Sequence, residues 1–190
     1  MDDPRIIQAS FGFPVANPTN IRLNPALGGG ALLDAGTYPV SLVRMLAGEA
    51  PIRVSASARW TDSGVDQSLI ANLEFPGGLL AQIACSFGTG VYRRAVIACE
   101  DGVALTDYPN HTSAESPGTL EISRGGWDPA RETMRFDPVN GFLVEAESFA
   151  EMIRSGPDSW TGIGETESIE VMEILEAIIA SARSGRPVDI

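Results

Sequence analysis

The sequence predicts an α+β domain built on a large, mostly antiparallel open sheet with helices packed on one face. Three observations lead there. Short β-prone segments separated by glycine-rich turns fill the middle of the chain, two segments with helical apolar spacing follow them, and one helical segment precedes them. A length of 190 residues with 44% hydrophobic content is enough for one domain with its own core. No internal repeat, low-complexity tract or linker divides 1–190.

The first element is a strand over Ile6 to Val15, where Phe11, Phe13 and Val15 alternate with small or polar residues before the turn at Asn17-Pro18. A helix is expected over Ala31 to Ala47, with Leu33, Val40, Val43 and Leu46 as its apolar face and Gly48 as its stop. This leaves Asp34, Tyr38, Ser41 and Met45 on a neighbouring face. Pro39 withholds a backbone donor from the carbonyl of Ala35, which predicts a kink or an irregular first turn. Ile52 to Trp60, Ser68 to Phe75, Leu79 to Phe87 and Arg94 to Cys99 then read as strands. Turns at Asp62-Ser-Gly64, Pro76-Gly-Gly78, Gly88-Thr-Gly90 and Asp101-Gly102 are short enough for antiparallel hairpins. Val103 to Asp107, Thr119 to Ser123 and Glu132 to Phe136 extend the sheet. Two helices close the chain. One carries a stripe of Phe142, Ala146, Phe149 and Ile153 ending at Gly156-Pro157; the other carries Ile169, Met172, Leu175, Ile179 and Ala182 ending at Gly185 and Pro187. Their acidic residues, Glu145, Glu147 and Glu151 on the first and Glu165, Glu167 and Glu170 on the second, read as solvated faces.

Charge restricts the partners. The formal net charge is -12, all 13 basic residues are arginine, and no basic stripe is visible, so no nucleic-acid partner is expected. No apolar run approaches the roughly 18 residues of a membrane span, and the N-terminus lacks the pattern of a signal peptide, which together predict a cytoplasmic protein without membrane attachment. Cys85 and Cys99, in apolar strand-like surroundings, read as buried thiols rather than a disulfide. His111 reads as a solvated loop histidine; with no ligand cluster around it, no metal is expected.

The segment Gly28 to Tyr38 concentrates the chemistry. Gly28-Gly29-Gly30 suits a loop that approaches another surface closely. It is not a dinucleotide fingerprint, because Gly28-x-Gly30 leaves Leu33 where Gly-x-Gly-x-x-Gly needs its third glycine, and no strand immediately precedes it. Gly88-Thr-Gly90 and Gly162-Ile-Gly164 fail the same test at Arg93 and Glu167, and the absence of lysine excludes a Gly-x-x-x-x-Gly-Lys phosphate loop. Asp34 and Tyr38, four residues apart on one helical face, form a candidate catalytic pair. The phenol can give or take a proton and the carboxylate can position or polarise. The plainer alternative makes Asp34 a carboxylate stabilised by a helix N-terminus, worth about 0.3–1 kcal/mol, and Tyr38 an interface aromatic. Arg22, ahead of the glycines, and Tyr92 and Arg93, at a hairpin end, are candidate substrate-binding residues; ordinary surface positions are the competing reading.

The segment Asn20 to Val40 closely resembles the glycine-rich helix segment of the Gfo/Idh/MocA oxidoreductases. The resemblance continues through Ile6 to Phe13, the Cys99-Glu-Asp-Gly102 turn, Phe142 to Gly156 and the closing Ala182 to Val188, covering essentially the whole chain. It implies a C-terminal substrate-binding and oligomerisation domain whose partner is an N-terminal Rossmann domain carrying the dinucleotide loop and a Glu-Lys-Pro lysine, absent from this chain. Many members have histidine four residues after the aspartate. Tyr38 is similar instead to the branch containing glucose-fructose oxidoreductase, dimeric dihydrodiol dehydrogenase and some xylose dehydrogenases. The resemblance thus implies NAD or NADP as cofactor, bound mainly by the other domain, and a sugar, polyol or related cyclic hydroxy compound as substrate. Tyr38 would be the acid/base and Asp34 its support. Without the lysine and the dinucleotide loop, the isolated chain is not expected to be catalytically competent, and a fragment of a longer protein is the favoured reading. The alternative is a stand-alone, non-catalytic ligand-binding or assembly module. Apolar runs at Leu69-Ile70 and Leu79-Leu80 leave little room for a fully polar sheet face, so a homodimer through that face is expected.

Overall fold

The structure is a computed structural model that describes residues 3–110 and 112–190; the reading of His111 lies outside the described residues. The described residues form nine strands: β1 (Pro4–Gly12), β2 (Arg53–Trp60), β3 (Asp66–Glu74), β4 (Leu80–Ser86), β5 (Tyr92–Cys99), β6 (Gly102–Thr106), β7 (Gly118–Arg124), β8 (Ala130–Phe136) and β9 (Val188–Asp189). They make one open sheet in the order β8-β7-β6-β5-β1-β4-β3-β2-β9. Three α-helices accompany it, α1 (Thr37–Ala47), α2 (Gly141–Ser155) and α3 (Glu165–Ser184). The α+β class and the mostly antiparallel sheet are those the sequence predicts.

One connection departs from the expected hairpins. The Gly88-Thr-Gly90 turn does not join paired strands, because β1 lies between β4 and β5, parallel to the first and antiparallel to the second. Turn chemistry is local, whereas the seat of β1 is decided by burial. With neighbours on both sides, β1 pairs its backbone along both edges and sinks Ile7 and Ala9 into the core. The two-residue β9, not anticipated from the sequence, closes the other end by pairing with Arg53 and Val54 of β2.

Strand alternation then sorts the side chains. Ile7 and Ala9 of β1, Leu69, Ala71 and Leu73 of β3, and Ala81, Ile83 and Cys85 of β4 point to one face and are buried. Val40 and Val43 of α1 and Val171, Ile174, Leu175 and Ile178 of α3 cover them. Ser181, at the end of α3, accepts from the backbone N–H of Ala56 at 3.0 Å and donates to the carbonyl of Arg186 at 2.7 Å, tying the helix to β2. The opposite sheet face has Ile6, Ile70 and Leu80 about half exposed among Gln8, Asn72 and Gln82.

Helix phases shift from those expected. Leu33 is exposed, and the buried set is Ala31, Leu32, Ala35, Gly36, Pro39, Val40 and Val43. The cause is a π-helical stretch at Leu32–Gly36 that advances the chain by a wider turn before α1 begins. That is the irregular first turn predicted from Pro39. In α3, Ile169 and Met172 are exposed while Val171 and Ile174 take the core positions. The stripe of α2 exists, but α2 buries no residue at all. Two smaller readings also change. Glu170 is not simply solvated, since it pairs with Arg44 at 2.6 Å, and Cys99 is only half-buried whereas Cys85 is fully buried.

Candidate active site

Two short turns prepare the site. Asn20 and Asn24 each accept from the backbone N–H two residues on, at 3.0 Å, shaping one-turn 3-10 helices at Ile21–Leu23 and Pro25–Leu27. The glycines follow. The N–H of Gly29 bonds to the carbonyl of Asn24 at 3.0 Å and that of Gly30 to the carbonyl of Arg22 at 2.9 Å, so both donors point inward. Gly30 has φ of 135°, and a Cβ there would overlap Oδ1 of Asp66. Asp66, from the start of β3, is 2% exposed, and its Oδ2 accepts from the N–H of Leu32 at 2.7 Å. Burial pushes its carboxyl above the usual 3.8, against the opposing effect of the Leu32 and Ala31 backbone hydrogen bonds.

The π-helical stretch that Asp66 caps carries Asp34. Its Oδ2 accepts from Nε of Arg22 at 2.7 Å, with the two side chains 36% and 39% exposed. Its backbone carbonyl accepts from the Thr37 hydroxyl at 2.8 Å. Tyr38 opens α1 with its ring edge-on to Phe11, centroids 5.4 Å apart, and stays 38% exposed. Above that pair lies Arg93. Its guanidinium carbon is 4.5 Å from the centroid of Phe11 and 4.6 Å from those of Tyr38 and Tyr108. Burial lowers the Arg93 pKa, opposed by Tyr108 and Tyr38, and its buried Nε has no hydrogen-bond partner among the described residues. Phe13 continues the platform, 5.4 Å from Phe11 and beneath Arg22 at 5.7 Å. An aromatic floor therefore joins the Arg22–Asp34 ion pair to the Tyr38–Arg93 stack.

A sequence profile of the GFO/IDH/MocA C-terminal domain matches residues 2–105. The chain belongs to the Gfo/Idh/MocA oxidoreductase family. It is 29% identical over 186 residues to D-xylose 1-dehydrogenase (NADP(+)) 2 of Haloferax volcanii, a match covering 97% of this chain and 55% of that protein. It is 32% identical to trans-1,2-dihydrobenzene-1,2-diol dehydrogenase of Sus scrofa, over 94% of this chain and 53% of that one. Among solved structures, aldose-aldose oxidoreductase from Caulobacter crescentus complexed with glycerol superposes with a TM-score of 0.84 at 26% identity, covering 100% of this chain and 56% of that one. The chain thus spans about half the length of the relatives it matches.

Within this Gfo/Idh/MocA domain the residues singled out from the sequence divide into two groups. Arg22, Asp34, Tyr38 and Arg93 come together on the aromatic floor. Tyr92 does not join them: it alternates with Arg93 along β5, packs against Gly12 and lines the opposite sheet face with Ser57, Ile70 and Ala84. Two residues escaped sequence reasoning. Asp66 gives no local signal, since its partner lies 34 positions away. Tyr108 could have been flagged only as an aromatic before a proline. In the fold its φ is +32°, its hydroxyl donates to the carbonyl of Ser10 at 2.6 Å, and burial pushes its phenol up to about 12 despite Arg93 beside it.

Proposed function

We propose that this chain is the substrate-binding half of an NAD(P)-dependent oxidoreductase acting on a sugar, polyol or related cyclic hydroxy compound. The observation that carries the reading is the exposed phenol of Tyr38, fixed between Phe11 and Arg93 beside the Arg22–Asp34 pair, in a chain of this family. The glycine loop does not fit a dinucleotide, because the N–H groups of Gly29 and Gly30 are engaged within the loop. The cofactor is therefore assigned to the other half of the protein, where it would take up or give a hydride. Tyr38 handles the proton: it accepts one from the substrate hydroxyl during oxidation and returns one to the carbonyl oxygen during reduction. Asp34, held by Arg22, orients substrate hydroxyls beside the phenol, and Arg93 contributes positive charge from the ring face.

Two measurements test this reading. In the chain joined to a nucleotide-binding half, Tyr38→Phe is expected to lower kcat at least 100-fold with little change in NADP affinity; an unchanged kcat refutes the role. Calorimetry on the isolated chain is expected to show no strong NADP binding, and affinity typical of a complete enzyme would contradict the division of labour. We further propose a homodimer through the uncovered sheet face, where Ile6, Ile70 and Leu80 are about half exposed. A monomer in sedimentation at micromolar concentration would count against it.

A further inference from the structure

One cation in the site lacks the counter-ion that its burial calls for. Every arginine among the described residues except Arg93 either forms an ion pair with a carboxylate, as Arg22 does with Asp34 and Arg44 with Glu170, or is exposed to water, as Arg94 is. Arg93 is half-buried, has no ion pair among those residues, and leaves its buried Nε without a hydrogen-bond partner. Strand register explains how it comes to sit there. Arg93 stands opposite Phe11 across β1 and β5, and the rings of Phe11, Tyr38 and Tyr108 lie 4.5 to 4.6 Å from its guanidinium carbon. Rings stabilise the charge through their faces but offer no oxygen to the planar N–H fork. The Tyr108 hydroxyl beside it is a neutral acceptor whose own proton goes to the Ser10 carbonyl at 2.6 Å. A partly desolvated cation, held in place with no anion of its own, is the arrangement expected where the anion arrives with the ligand.

We propose that Arg93 clamps a carboxylate of the substrate, so that the compound this site takes is a sugar acid or related hydroxy acid, an inference that rests on the function proposed above. Position supports it first. The guanidinium lies over the Tyr38 ring, so a carboxylate bound there is only a few bonds from a carbinol presented to the phenol. Arg22 cannot substitute for it, because its Nε already serves Asp34 at 2.7 Å. Charge then selects among anions. The site offers one uncommitted guanidinium, holds the carboxylate of Asp34 on the same aromatic floor, and belongs to a chain of net charge -12, so a monoanion is balanced where a phosphate dianion meets repulsion. The planar fork also matches a carboxylate in two parallel hydrogen bonds. A neutral sugar bound in the same pose would leave Arg93 unpaired, and that difference is the source of selectivity.

The test is binding to this chain, by calorimetry or chemical-shift titration, of matched acidic and neutral probes: D-glucuronate with D-glucose, D-galacturonate with D-galactose, and D-gluconate with D-glucitol. At least one acid is expected to bind at least tenfold more tightly than its neutral partner, and that preference should shrink when salt is raised from about 0.05 M to about 0.5 M. Arg93→Met is expected to reduce the preference below about twofold, whereas Arg93→Lys, which keeps the charge, should retain at least about threefold. Equal affinity within every pair overturns the proposal, as does tighter binding of D-glucose 6-phosphate or D-galactose 6-phosphate than of the acids. An equal loss in both Arg93 variants overturns it too, since packing rather than charge would then be responsible. The salt dependence needs no variant, so it decides the matter even if Arg93→Met fails to fold. Acid-selective binding by a chain that, joined to a nucleotide-binding half, oxidises no hydroxy compound would keep the clamp and refute the proposed function. NADP-dependent oxidation of neutral sugars with no preference for the acids would do the reverse.

Discussion

Gly30 and Asp66 should behave as one unit in a double-mutant cycle. Replacing Asp66 with alanine removes the acceptor of the buried Leu32 N–H and should destabilise the domain by about 1–3 kcal/mol. Gly30→Ala acts twice. A side chain at φ of 135° strains the backbone by about 1–3 kcal/mol, and its Cβ overlaps Oδ1 of Asp66, so the carboxylate must withdraw at a cost of about 1–3 kcal/mol more. In the double variant the strain remains but the hydrogen bond is lost only once. The sum of the single effects should therefore exceed the double by about 1–3 kcal/mol. Urea unfolding of the four proteins, followed by circular dichroism, measures the cycle, and each kcal/mol should also move Tm by about 2–4 °C in a chain of this size. Additivity within about 0.5 kcal/mol would refute the claim that Gly30 exists to admit Asp66.

The pH dependence of stability follows from the same carboxyl. Its pKa is raised by burial, so between 3.8 and its folded pKa the native state binds more protons than the unfolded chain, and stability from this group is lost as pH rises through that window. Asp66→Asn is expected to flatten that part of the profile in urea titrations at successive pH values; an unchanged slope would refute the assignment. For Arg22→Ala the expected stability change is within about 1 kcal/mol, because the Arg22–Asp34 pair is more than a third exposed. If the chain is joined to a nucleotide-binding half, as the proposed function requires, the same variant should lower kcat/KM roughly tenfold, and a large loss of stability with unchanged turnover would make the pair structural. Tyr108→Phe is expected to remove a phenol titration centred at about 12 from the ultraviolet spectrum and to destabilise by about 0.5–1.5 kcal/mol through loss of the bond to Ser10.

Local chemistry made most of the elements legible. Short β-prone runs bounded by turn signals located eight of the nine strands to within two or three residues, although only the central strands bury one face and β8 is exposed along its whole length. What stayed hidden was non-local. No residue near Gly88 announces that β1, some 80 positions earlier, will be inserted between β4 and β5, and β9 is too short to show a pattern. The helix phases failed for a different reason: Pro39 signalled an irregular turn, but only the fold shows that the irregularity rotates Leu33 outward and Leu32 inward. The site followed the same division. Asp34 and Tyr38 were visible as neighbours in sequence, and Arg93 as a polar residue at a strand end. Asp66 and Tyr108 work through partners 34 and 98 positions away and left no trace in spacing.

The glycine segment invites reading as a flexible cradle, and the geometry argues for the opposite. Its amides at Gly29 and Gly30 are tied to the carbonyls of Asn24 and Arg22, and a Cβ on Gly29 would lie 2.6 Å from the Arg22 carbonyl oxygen. The buried carboxylate of Asp66 then grips the N–H of Leu32, fixing where the helical segment starts. Because Pro39 cannot donate to Ala35, the backbone ahead of it takes the wider π turn, and the combined result is a defined rotation of Asp34 relative to Tyr38. Arg22 belongs to the same construction: its carbonyl receives Gly30 while its guanidinium holds Asp34. Three glycines, a buried acid and a proline thus set the rotation of Asp34 relative to Tyr38 where the helical segment begins. Changes in this loop should consequently act on substrate geometry before they act on affinity for any phosphate.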